Sequence, residues 1–377
     1  MTDHDYMRRA IELAQKGLGF TNPNPMVGAV IVKDGKIIGE GYHERCGELH
    51  AERNAIASLT ESAEGATIYV TLEPCCHYGK TPPCTEVIIE NKISRVVIGS
   101  RDPNPLVSGK GARILREAGI TVEEDFLREE CDQINKVFFH YITTKHPYVT
   151  VKYAMTADGK IATKTGASKW ITGEAARNEV QKMRHKNMAI MAGIGTVLAD
   201  DPLLNVRVDG LKSPIRIICD SNLKIPLDSQ IVKTADKHKT IIACAYNEAC
   251  PSQKDNHNQN NYQFTQKRDL LNQEGIQIIN VPDENGKVDV TKLLEILGNQ
   301  GIDSIFVEGG GILNDSLFRA NLVNRLEVFV APKVFGGADA KSPVQGLGIE
   351  EVSEATEFNL IDIKKIGQDV LLSYERA

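Results

Sequence analysis

The most informative segment of the sequence is Glu73-Pro74-Cys75-Cys76-His77-Tyr78-Gly79-Lys80-Thr81-Pro82-Pro83-Cys84, and 20 residues separate it from the tripeptide His50-Ala51-Glu52. Imidazole and thiolate groups are ligands that zinc prefers in proteins, and His50, Cys75 and Cys84 supply three of them. A zinc ion with three protein ligands keeps a fourth position for water, whose pKa falls toward about 7. The stretch therefore predicts a zinc site that activates water.

Glu52 gives this site a second chemical group. It lies two residues after His50, where it could flank the metal without binding it and carry a proton from the water to a departing nitrogen. Zinc deaminases share this arrangement, His-x-Glu followed by Pro-Cys-x-x-Cys, with the glutamate as acid and base. The spacing departs from that pattern, because eight residues, 76–83, separate Cys75 from Cys84. We therefore expect a loop beside the metal.

Other side chains near the stretch are alternative ligands. Cys46 and Cys76 offer thiols, and His43 and His77 offer imidazoles. A closed site with four protein ligands would only hold the domain together. The position of Glu52 favours the catalytic interpretation, because a closed site has no use for that carboxylate.

Length and composition limit the class of protein. The 377 residues exceed one ordinary domain, and 41% hydrophobic with 25% charged residues is typical of a globular chain. No apolar run approaches the ~18 residues of a membrane span, and the first nine residues contain no secretory signal. Four of the eight cysteines fall between Cys46 and Cys84, which favours metal binding in a reducing compartment over disulfides. We expect a cytoplasmic protein without a membrane partner.

The charge balance limits the kind of partner that the protein can bind. A net charge of -6 with a pI near 5.9 is unsuited to wrapping nucleic acid. We therefore expect a small-molecule substrate and no nucleic-acid partner.

Apolar periodicity and turn signals predict two α/β domains, residues 1–145 and 148–377. His146-Pro147 marks the boundary, because proline disfavours helical backbone in the residue before it. In the first domain we predict a sheet flanked by helices, with a β-hairpin turning at Asp34-Gly35. Its predicted helices cover 7–18, 50–60, 85–91, 111–118 and 127–140, and its strands cover 29–33, 36–40, 66–72 and 95–99.

The second domain alternates strands with helices from Tyr148 onward. The polar stretch Asn247–Gln266 has no periodicity and is predicted as a mobile surface loop. The predicted strands cover 188–192, 215–220, 240–245, 276–281, 304–308 and 325–330, and the predicted helices include 174–186, 290–297 and 312–320.

These motifs resemble one known family, the bifunctional pyrimidine deaminase/reductase of riboflavin biosynthesis. The resemblance lies in His50-Ala51-Glu52, in 73–84 with its widened cysteine spacing, and in Pro23-Asn24-Pro25-Met26-Val27-Gly28. Two later stretches resemble the reductase half of that family. They are Val151-Lys152-Tyr153-Ala154-Met155-Thr156-Ala157-Asp158-Gly159-Lys160-Ile161-Ala162 and Leu198-Ala199-Asp200-Asp201-Pro202-Leu203-Leu204-Asn205-Val206-Arg207. The resemblance therefore covers essentially the whole chain.

The resemblance implies an α/β protein with an N-terminal cytidine-deaminase-like zinc domain and a C-terminal dihydrofolate-reductase-like domain. The first, a hydrolase, would deaminate 2,5-diamino-6-ribosylamino-4(3H)-pyrimidinone 5′-phosphate. The second, an oxidoreductase, would use NADPH to reduce the ribosyl group, giving 5-amino-6-ribitylamino-uracil 5′-phosphate. The family also implies Zn²⁺ and NADPH as cofactors, a phosphorylated pyrimidine substrate and a homodimer or homotetramer.

The resemblance also assigns site residues. It makes Glu52 catalytic and His50, Cys75 and Cys84 the zinc ligands. The implied NADPH site comprises Ala154, Trp170, Thr196, Asp200, Ser221, Gly310, Gly311, Ile312, Leu313, Asn314, Asp315 and Ser316. The implied substrate contacts are Ser168, Arg184, Leu204, Arg207 and Glu308.

Several of these residues have an alternative interpretation. Arg184 and Arg207 carry the planar fork that suits a phosphate, but arginine is more commonly a solvated surface charge. Glycines 309–311 could let backbone amides approach a pyrophosphate, although a tight turn is the commoner role of such a triplet. Asn24 and Lys80-Thr81 are candidates for holding the pyrimidine and could equally be turn residues. Lys152 could face the substrate, and the sequence does not decide among Lys160, Lys164 and Lys169 for the 2′-phosphate of NADPH.

Two other functions compete with this one. A nucleoside or tRNA zinc deaminase could be fused to an unrelated nucleotide-binding domain, although the acidic balance counts against tRNA. A zinc-stabilised binding module without catalysis is the second alternative.

Overall fold

The structure of the chain, a computed structural model, describes residues 1–78, 82–104, 108–246 and 257–377. It divides into two compact units, Met1–Lys145 and His146–Ala377. Each unit has hydrophobic clusters of its own. Among the helices in the described ranges, none combines the length and the apolar character needed to cross a bilayer.

The first unit is a five-stranded sheet between helices, in the order β2-β1-β3-β4-β5. The strands are β1 (Gly28–Lys33), β2 (Lys36–Tyr42), β3 (Thr67–Leu72), β4 (Arg95–Ser100) and β5 (Thr121–Glu123). The helices are α1 (Asp3–Gln15), α2 (Ala51–Ala57), α3 (Cys84–Glu90), α4 (Lys110–Glu117), α5 (Arg128–Ile134) and α6 (Lys136–Thr144). Strand β1 is antiparallel to both of its neighbours, whereas β3, β4 and β5 are parallel.

Both faces of this sheet are buried, because successive strand residues point to opposite sides. Ile31 and Ile68 belong to the cluster on one face, and Val30 and Tyr69 belong to the cluster on the other. The predicted hairpin is present, and Asp34-Gly35 has positive φ at both positions, as a type I′ turn requires.

One predicted helix, 127–140, is two helices in the structure, α5 and α6. Asn135 separates them, with φ -117° and ψ 19°. Its buried side chain accepts a hydrogen bond from the Met26 N–H at 2.8 Å and donates one to the Met26 carbonyl at 2.9 Å. The helix is interrupted where this side chain holds a distant loop.

The second unit is a nine-stranded sheet in the order β10-β9-β8-β7-β11-β6-β12-β14-β13. The strands are β6 (Tyr148–Thr156), β7 (Ala189–Gly193), β8 (Ile215–Cys219), β9 (Thr240–Cys244), β10 (Gln277–Asn280), β11 (Ser304–Val307), β12 (Arg325–Ala331), β13 (Phe358–Ile366) and β14 (Asp369–Arg376). The helices are α7 (Glu174–Lys186), α8 (Ile194–Asp200), α9 (Gln230–Lys233), α10 (His257–Gln273), α11 (Val290–Asn299) and α12 (Gly311–Arg319).

The strands from β10 to β12 in this order are parallel, and β14 is antiparallel to both of its neighbours. Parallel strands bring their carboxyl ends to one edge, which is where ligands bind in open α/β sheets. Gly193 ends β7 at this edge, Ser221 lies just beyond β8 and Glu308 follows β11. The topology thus gathers residues that are far apart in sequence.

The prediction of a mobile loop over Asn247–Gln266 is wrong for its second half. Helix α10 begins at His257, and residues 247–256 lie outside the described residues. Phe264 stacks on Tyr246 with 4.3 Å between ring centroids, and Leu271 is fully buried. These two apolar residues, seven positions apart, fix a helix whose other residues are mostly polar.

Candidate functional site

The three predicted zinc ligands come together in the first unit. His50 is the residue before α2, Cys84 is the first residue of α3, and Cys75 lies in the segment after β3. Their ligand atoms all lie within 4.8 Å of one another. The Nδ1 atom of His50 is 3.5 Å from the Cys75 Sγ and 3.4 Å from the Cys84 Sγ.

This group fits zinc. Tetrahedral bonds of about 2.3 Å to sulfur and 2.1 Å to nitrogen place neighbouring ligand atoms about 3.6 Å apart. The measured separations are close to that value. Within the described ranges, no further His, Cys, Asp or Glu belongs to the group, so the residues present leave one coordination position to a non-protein ligand.

A hydrogen bond links the two thiols of this group. The Cys84 backbone N–H donates to the Cys75 Sγ at 3.3 Å. The hydrogen bond with the Cys84 thiol, supported by His50, holds the pKa of Cys75 below its ordinary value. The same shared hydrogen bond, together with burial, raises the pKa of Cys84. One thiolate is therefore already favoured before any cation binds.

Glu52 lies beside these ligands and is only 3% exposed. Burial raises the pKa of its carboxyl group, and the negative charge of Cys75 acts in the same direction. The side chain also interacts with the thiol of Cys84. Glu52 therefore lies where a group that carries protons should be, adjacent to the ligands and outside their set.

His43 and Asn24 form a polar wall next to the ligands. The Nδ1 of His43 lies 3.0 Å from the Leu49 carbonyl oxygen, and its Nε2 lies 3.1 Å from the Asn24 Nδ2. Because the carbonyl can only accept, Nδ1 donates to it and Nε2 accepts from the amide. Both ring nitrogens are thus engaged, and burial lowers the pKa of His43. The His43 ring is 5.5 Å from that of His50.

The remaining alternative ligands do not join the group. Cys46 and His77 are exposed, and Cys76 is not a member of the group. Lys80-Thr81, the other candidate for holding the pyrimidine, lies outside the described residues.

Glu73 fastens the segment that leads to Cys75. Its buried carboxylate accepts hydrogen bonds from the Gly109 N–H at 3.0 Å and the Ala112 N–H at 3.2 Å, at the start of α4. Gly111 lies so close to this segment that a β-carbon on it would be 2.2 Å from the Pro74 carbonyl oxygen. No pattern in the sequence indicates this contact.

In the second unit, a buried ion pair joins two predicted substrate residues. Arg184 of α7 donates from Nε to Glu308 Oε1 at 2.5 Å and from Nη2 to Oε2 at 3.0 Å. Its Nη1 donates to the Asn205 carbonyl at 2.8 Å. The Lys152 Nζ of β6 lies 3.8 Å from Glu308 Oε2. These three charged side chains are only 10–14% exposed.

The charges of this cluster depend on one another. Burial alone would raise the pKa of Glu308, but Arg184 and Lys152 outweigh it and hold that pKa below its ordinary value. Burial lowers the pKa of Lys152, with Arg184 acting in the same direction. Lys152 was not among the assigned substrate contacts. Its place on the first strand of this unit had made it a candidate to face the substrate.

The glycine turn before α12 is an open cradle. Gly309 and Gly310 have φ of 81° and 63°, and the Gly193 N–H donates to the Gly309 carbonyl at 3.3 Å. A β-carbon on Gly309 would meet nothing within 4 Å, and one on Gly310 would meet only the Thr196 Oγ1, at 3.7 Å. The space beside these two glycines is therefore open to a phosphate group, whereas Gly311, the first residue of α12, lies against Gln345.

Asn314 adds an orphaned polar atom to this region. It is 1% exposed, and its Nδ2 donates to the Pro343 carbonyl at 2.9 Å. Its Oδ1 is buried without a hydrogen-bond partner among the described residues. Such an atom is rare in a protein interior. Together with the open cradle, it fits a bound dinucleotide.

Other assigned residues lie around this edge in separate contacts. Asp200 forms an ion pair with Lys169 at 3.8 Å, and the Ser221 Oγ accepts from the Val288 N–H at 3.2 Å. Trp170 is 63% exposed and stacks on Arg177. In the described part of the chain, no hydrogen bond or ion pair joins Ser168 or Trp170 to the Arg184–Glu308 pair.

Comparison with known proteins gives a consistent picture. Residues 147–372 match the family model of the RibD C-terminal domain, and residues 1–100 match the cytidine and deoxycytidylate deaminase zinc-binding region. The riboflavin biosynthesis protein RibD of Actinobacillus pleuropneumoniae is 52% identical over 374 residues, covering 99% of this chain and 95% of that protein.

Solved structures agree. RibD of Acinetobacter baumannii has 36% identity and a TM-score of 0.85, covering 100% of this chain and 99% of that one. A Thermotoga maritima protein has 37% identity and a TM-score of 0.84, covering 99% and 98%. It is described as a diaminohydroxyphosphoribosylaminopyrimidine deaminase/5-amino-6-(5-phosphoribosylamino)uracil reductase.

Fold and site together define a zinc-binding, deaminase-type unit followed by a reductase-type α/β unit. The chain belongs to the RibD family of riboflavin biosynthesis proteins. This membership confirms the resemblance and the fold class, an N-terminal cytidine-deaminase-like domain and a C-terminal dihydrofolate-reductase-like domain. A fusion to an unrelated second domain is not favoured, because these relatives match the chain over its full length.

Proposed function

We propose that the chain catalyses two consecutive steps of riboflavin biosynthesis. The first is hydrolytic deamination of 2,5-diamino-6-ribosylamino-4(3H)-pyrimidinone 5′-phosphate, and the second is NADPH-dependent reduction of the ribosyl group to ribityl. The observation that carries the proposal is that one chain holds both residue sets, the ligand group with Glu52 and the Lys152–Arg184–Glu308 cluster.

In the deaminase unit, His50, Cys75 and Cys84 would hold zinc. When bound, zinc supplies the Lewis acidity that activates a water molecule at neutral pH. Glu52 accepts a proton from the attacking water and delivers it to the ring amine, so that the amine leaves as ammonia. His43 and Asn24 orient the pyrimidine beside the ligands, because the Asn24 carbonyl oxygen remains available to accept from a ring N–H.

In the reductase unit, the amides of the Gly309-Gly310 turn would hold the pyrophosphate of NADPH, which supplies the hydride. The Asn314 Oδ1 would accept a hydrogen bond from the cofactor. Glu308 is held by Arg184 and is positioned to bind the substrate's sugar hydroxyls. Lys152, whose pKa burial lowers, would give a proton to the oxygen or nitrogen that becomes negative as hydride arrives.

In this proposal, Arg207 binds the phosphate of the substrate. The guanidinium of Arg184 donates its hydrogen bonds to Glu308 and to the Asn205 carbonyl. It therefore cannot also form a bidentate contact with a phosphate. Arg207 is exposed, and its backbone N–H is fixed by the Gln181 Oε1 at 2.9 Å. Its guanidinium is therefore free to form a bidentate contact.

The test is a coupled assay on the zinc-loaded chain with the phosphorylated diaminopyrimidine. Ammonia release and NADPH oxidation are followed separately, and we expect both, with oxidation depending on prior deamination. Deamination of free cytidine without action on the phosphorylated substrate would instead support the nucleoside deaminase alternative. Loss of ammonia release together with unfolding on zinc removal would support a purely structural metal.

We propose that the chain forms a homodimer or homotetramer through the edge strand β13. Leu360, Ile361 and Ile363 on this strand are 43–60% exposed, and one side of its backbone has no neighbouring strand in the described sheet. An exposed apolar edge favours pairing with a second copy about a two-fold axis. Sedimentation velocity of the Ile363→Lys variant should show a smaller species than the parent, whereas an unchanged sedimentation coefficient rejects this interface.

We propose a reducing, cytoplasmic setting for the enzyme. The two thiol ligands, Cys75 and Cys84, are not in disulfides. Thiol ligands must stay reduced to bind zinc, and a reducing compartment preserves them. Fractionation of the producing cells should recover both activities with cytoplasmic markers.

A further inference from the structure

The second unit contains a cavity at the edge of its sheet opposite to Glu308 and the glycine turn. It has a volume of about 440 Å³ and is lined by residues 212–215 and 237–239. These segments lead into β8 and β9, so the cavity lies at the amino ends of the parallel strands. Glu308 and the glycine turn lie at the carboxyl ends. A strand of five residues separates the two edges by about 16 Å.

The lining of this cavity is basic. Lys212, Lys237, Lys239 and His238 contribute four basic side chains, and none of the lining residues in the described part of the chain carries a carboxylate. Asp236 is the acidic residue next to this segment, and it is exposed. The three lysines are exposed as well, so their ammonium groups are accessible to a ligand.

Arg216 adds a buried positive charge beneath the cavity. It is fully buried and donates to the Thr234 and Thr240 hydroxyls and to three backbone carbonyls, one of them that of the lining residue His238 at 3.1 Å. All its partners are neutral, and in the described residues no carboxylate pairs with it. Burial lowers the pKa of Arg216 to about 10. Burial also lowers the pKa of His238, and the positive charge of Arg216 lowers it further. A cation without a counterion raises the electrostatic potential around it.

We propose that this cavity binds a small polyphosphate anion, either free pyrophosphate or the polyphosphate chain of a nucleotide. Its volume lies within the range of small-molecule sites. Lysine ammonium groups bind phosphate as point charges, and an anion would neutralise the field of the buried arginine. Anion binding goes beyond the proposed function and does not depend on it, whereas the effect on the reductase described below rests on the proposed function.

The walls of the cavity are fastened to the substrate-binding segment. The Ser213 Oγ accepts from the Val206 N–H at 3.1 Å, and the Arg216 Nη1 donates to the Leu203 carbonyl at 3.3 Å. The Lys212 N–H donates to the Nδ1 of His185, the residue after Arg184, at 2.9 Å. A ligand that draws the two walls together would therefore move the segment that holds Leu204 and Arg207. We expect it to change the reductase KM for the pyrimidine substrate.

The experiment is a calorimetric titration of the zinc-loaded full chain with inorganic pyrophosphate at low ionic strength. We expect one molecule bound per chain. The double variant Lys237→Gln with Lys239→Gln should weaken binding by at least about tenfold, because two charge-assisted contacts are lost. The control Lys36→Gln with Lys292→Gln removes the same charge from exposed positions outside the cavity and should bind like the parent.

Three results would overturn the proposal. They are no binding by the parent, equal weakening in the two double variants, and mutually exclusive binding of pyrophosphate and the pyrimidine substrate, which would place pyrophosphate in the active site. A titration with ATP distinguishes the sources. Tighter binding of ATP assigns a nucleotide, and weaker or equal binding assigns the free anion. The pyrophosphate-induced shift in KM should be present in the control variant and absent from the cavity variant.

Discussion

Glu52 is a carboxyl group buried beside two thiols, and its substitution separates metal binding from chemistry. Glu52→Gln keeps the size of the side chain and the three ligands, so zinc content should match the parent. Ammonia release should fall by about 10²–10⁴-fold, the usual contribution of an acid/base group. Zinc is measured by atomic absorption and ammonia by a coupled assay.

Glu48→Gln is the matched control, because Glu48 is exposed in the same segment. It should retain full activity. Full ammonia release by Glu52→Gln would remove Glu52 from the reaction, and loss of zinc in that variant would make it a structural group instead.

The lowered pKa of Asp158 predicts how the stability of the fold depends on pH. Its carboxylate accepts from the Thr156 hydroxyl at 2.5 Å and from the Gly336 and Phe335 N–H groups at 2.7 and 3.1 Å. The hydrogen bond from Thr156, followed by that from Gly336, lowers the pKa of Asp158 from 3.8 to about 2. Since the folded-state pKa is the lower one, the stabilisation is present above about pH 3.8 and is lost as pH falls toward 2.

The measurement is urea unfolding of Asp158→Asn at neutral and acidic pH. Its midpoint should lie below that of the parent at pH 7, and the difference should shrink as the pH falls through that window. Asp209→Asn, at an exposed position, should leave the midpoint unchanged at every pH. A difference that stays constant down to pH 2 would contradict the assignment.

Residue type and spacing predict the deaminase site well, because its ligands and Glu52 fall within 35 residues and carry distinctive chemistry. The pairing of Arg184 with Glu308 could not be predicted in this way. These residues are 124 positions apart, and only the order of strands in the sheet brings them together. The engagement of both nitrogens of His43 is likewise a result of tertiary contacts.

At the scale of elements, the contact between α4 and the segment before Cys75 predicts a sensitive glycine. Gly111→Ala would place a β-carbon 2.2 Å from the Pro74 carbonyl oxygen, so the segment must move. Overpacking of this kind costs about 1–3 kcal/mol. We expect a lower melting temperature for the deaminase unit and weaker zinc retention against a chelator.

The control for this variant is Gly195→Ala in α8, where a β-carbon would meet no heavy atom within 4 Å. It should leave zinc retention as in the parent. Equal zinc retention by Gly111→Ala would show that the Cys75 segment tolerates displacement of α4.

Strands with a continuous apolar run were predictable, and two elements without a clear apolar pattern, β13 and α10, were not. Buried strands such as β7 and β11 are apolar along most of their length, so their sequence alone indicates them. Strand β13 is exposed or half-buried throughout, so no alternation marks it. Helix α10 was missed for the same reason, since among its residues 263–273 only Leu271 is buried.

At the scale of the whole molecule, each unit has its own cores and its own site residues. Two inactive variants should therefore complement each other. Glu52→Gln cannot deaminate and Glu308→Gln should not reduce, but a mixture should oxidise NADPH when supplied with the diaminopyrimidine. The intermediate would pass through solution, so oxidation should follow ammonia release after a lag.

The measurement is NADPH absorbance over time in the mixture and in each variant alone. Neither variant alone should oxidise NADPH from this substrate, and the rate in the mixture should rise with the concentration of the Glu308→Gln protein. No oxidation in the mixture, despite normal ammonia release, would mean that the intermediate does not leave the chain that makes it.

The candidate zinc ligands all belong to one unit, between residues 50 and 84. Only the first of the two reactions consequently depends on the supply of zinc. A cell starved of the metal would stall at the hydrolytic step and still possess a working reductase. Riboflavin synthesis would then stop at that step, and the diamino compound would accumulate. Supplying the uracil product of the deaminase would restore synthesis, because the reductase needs no zinc ligand of the first unit.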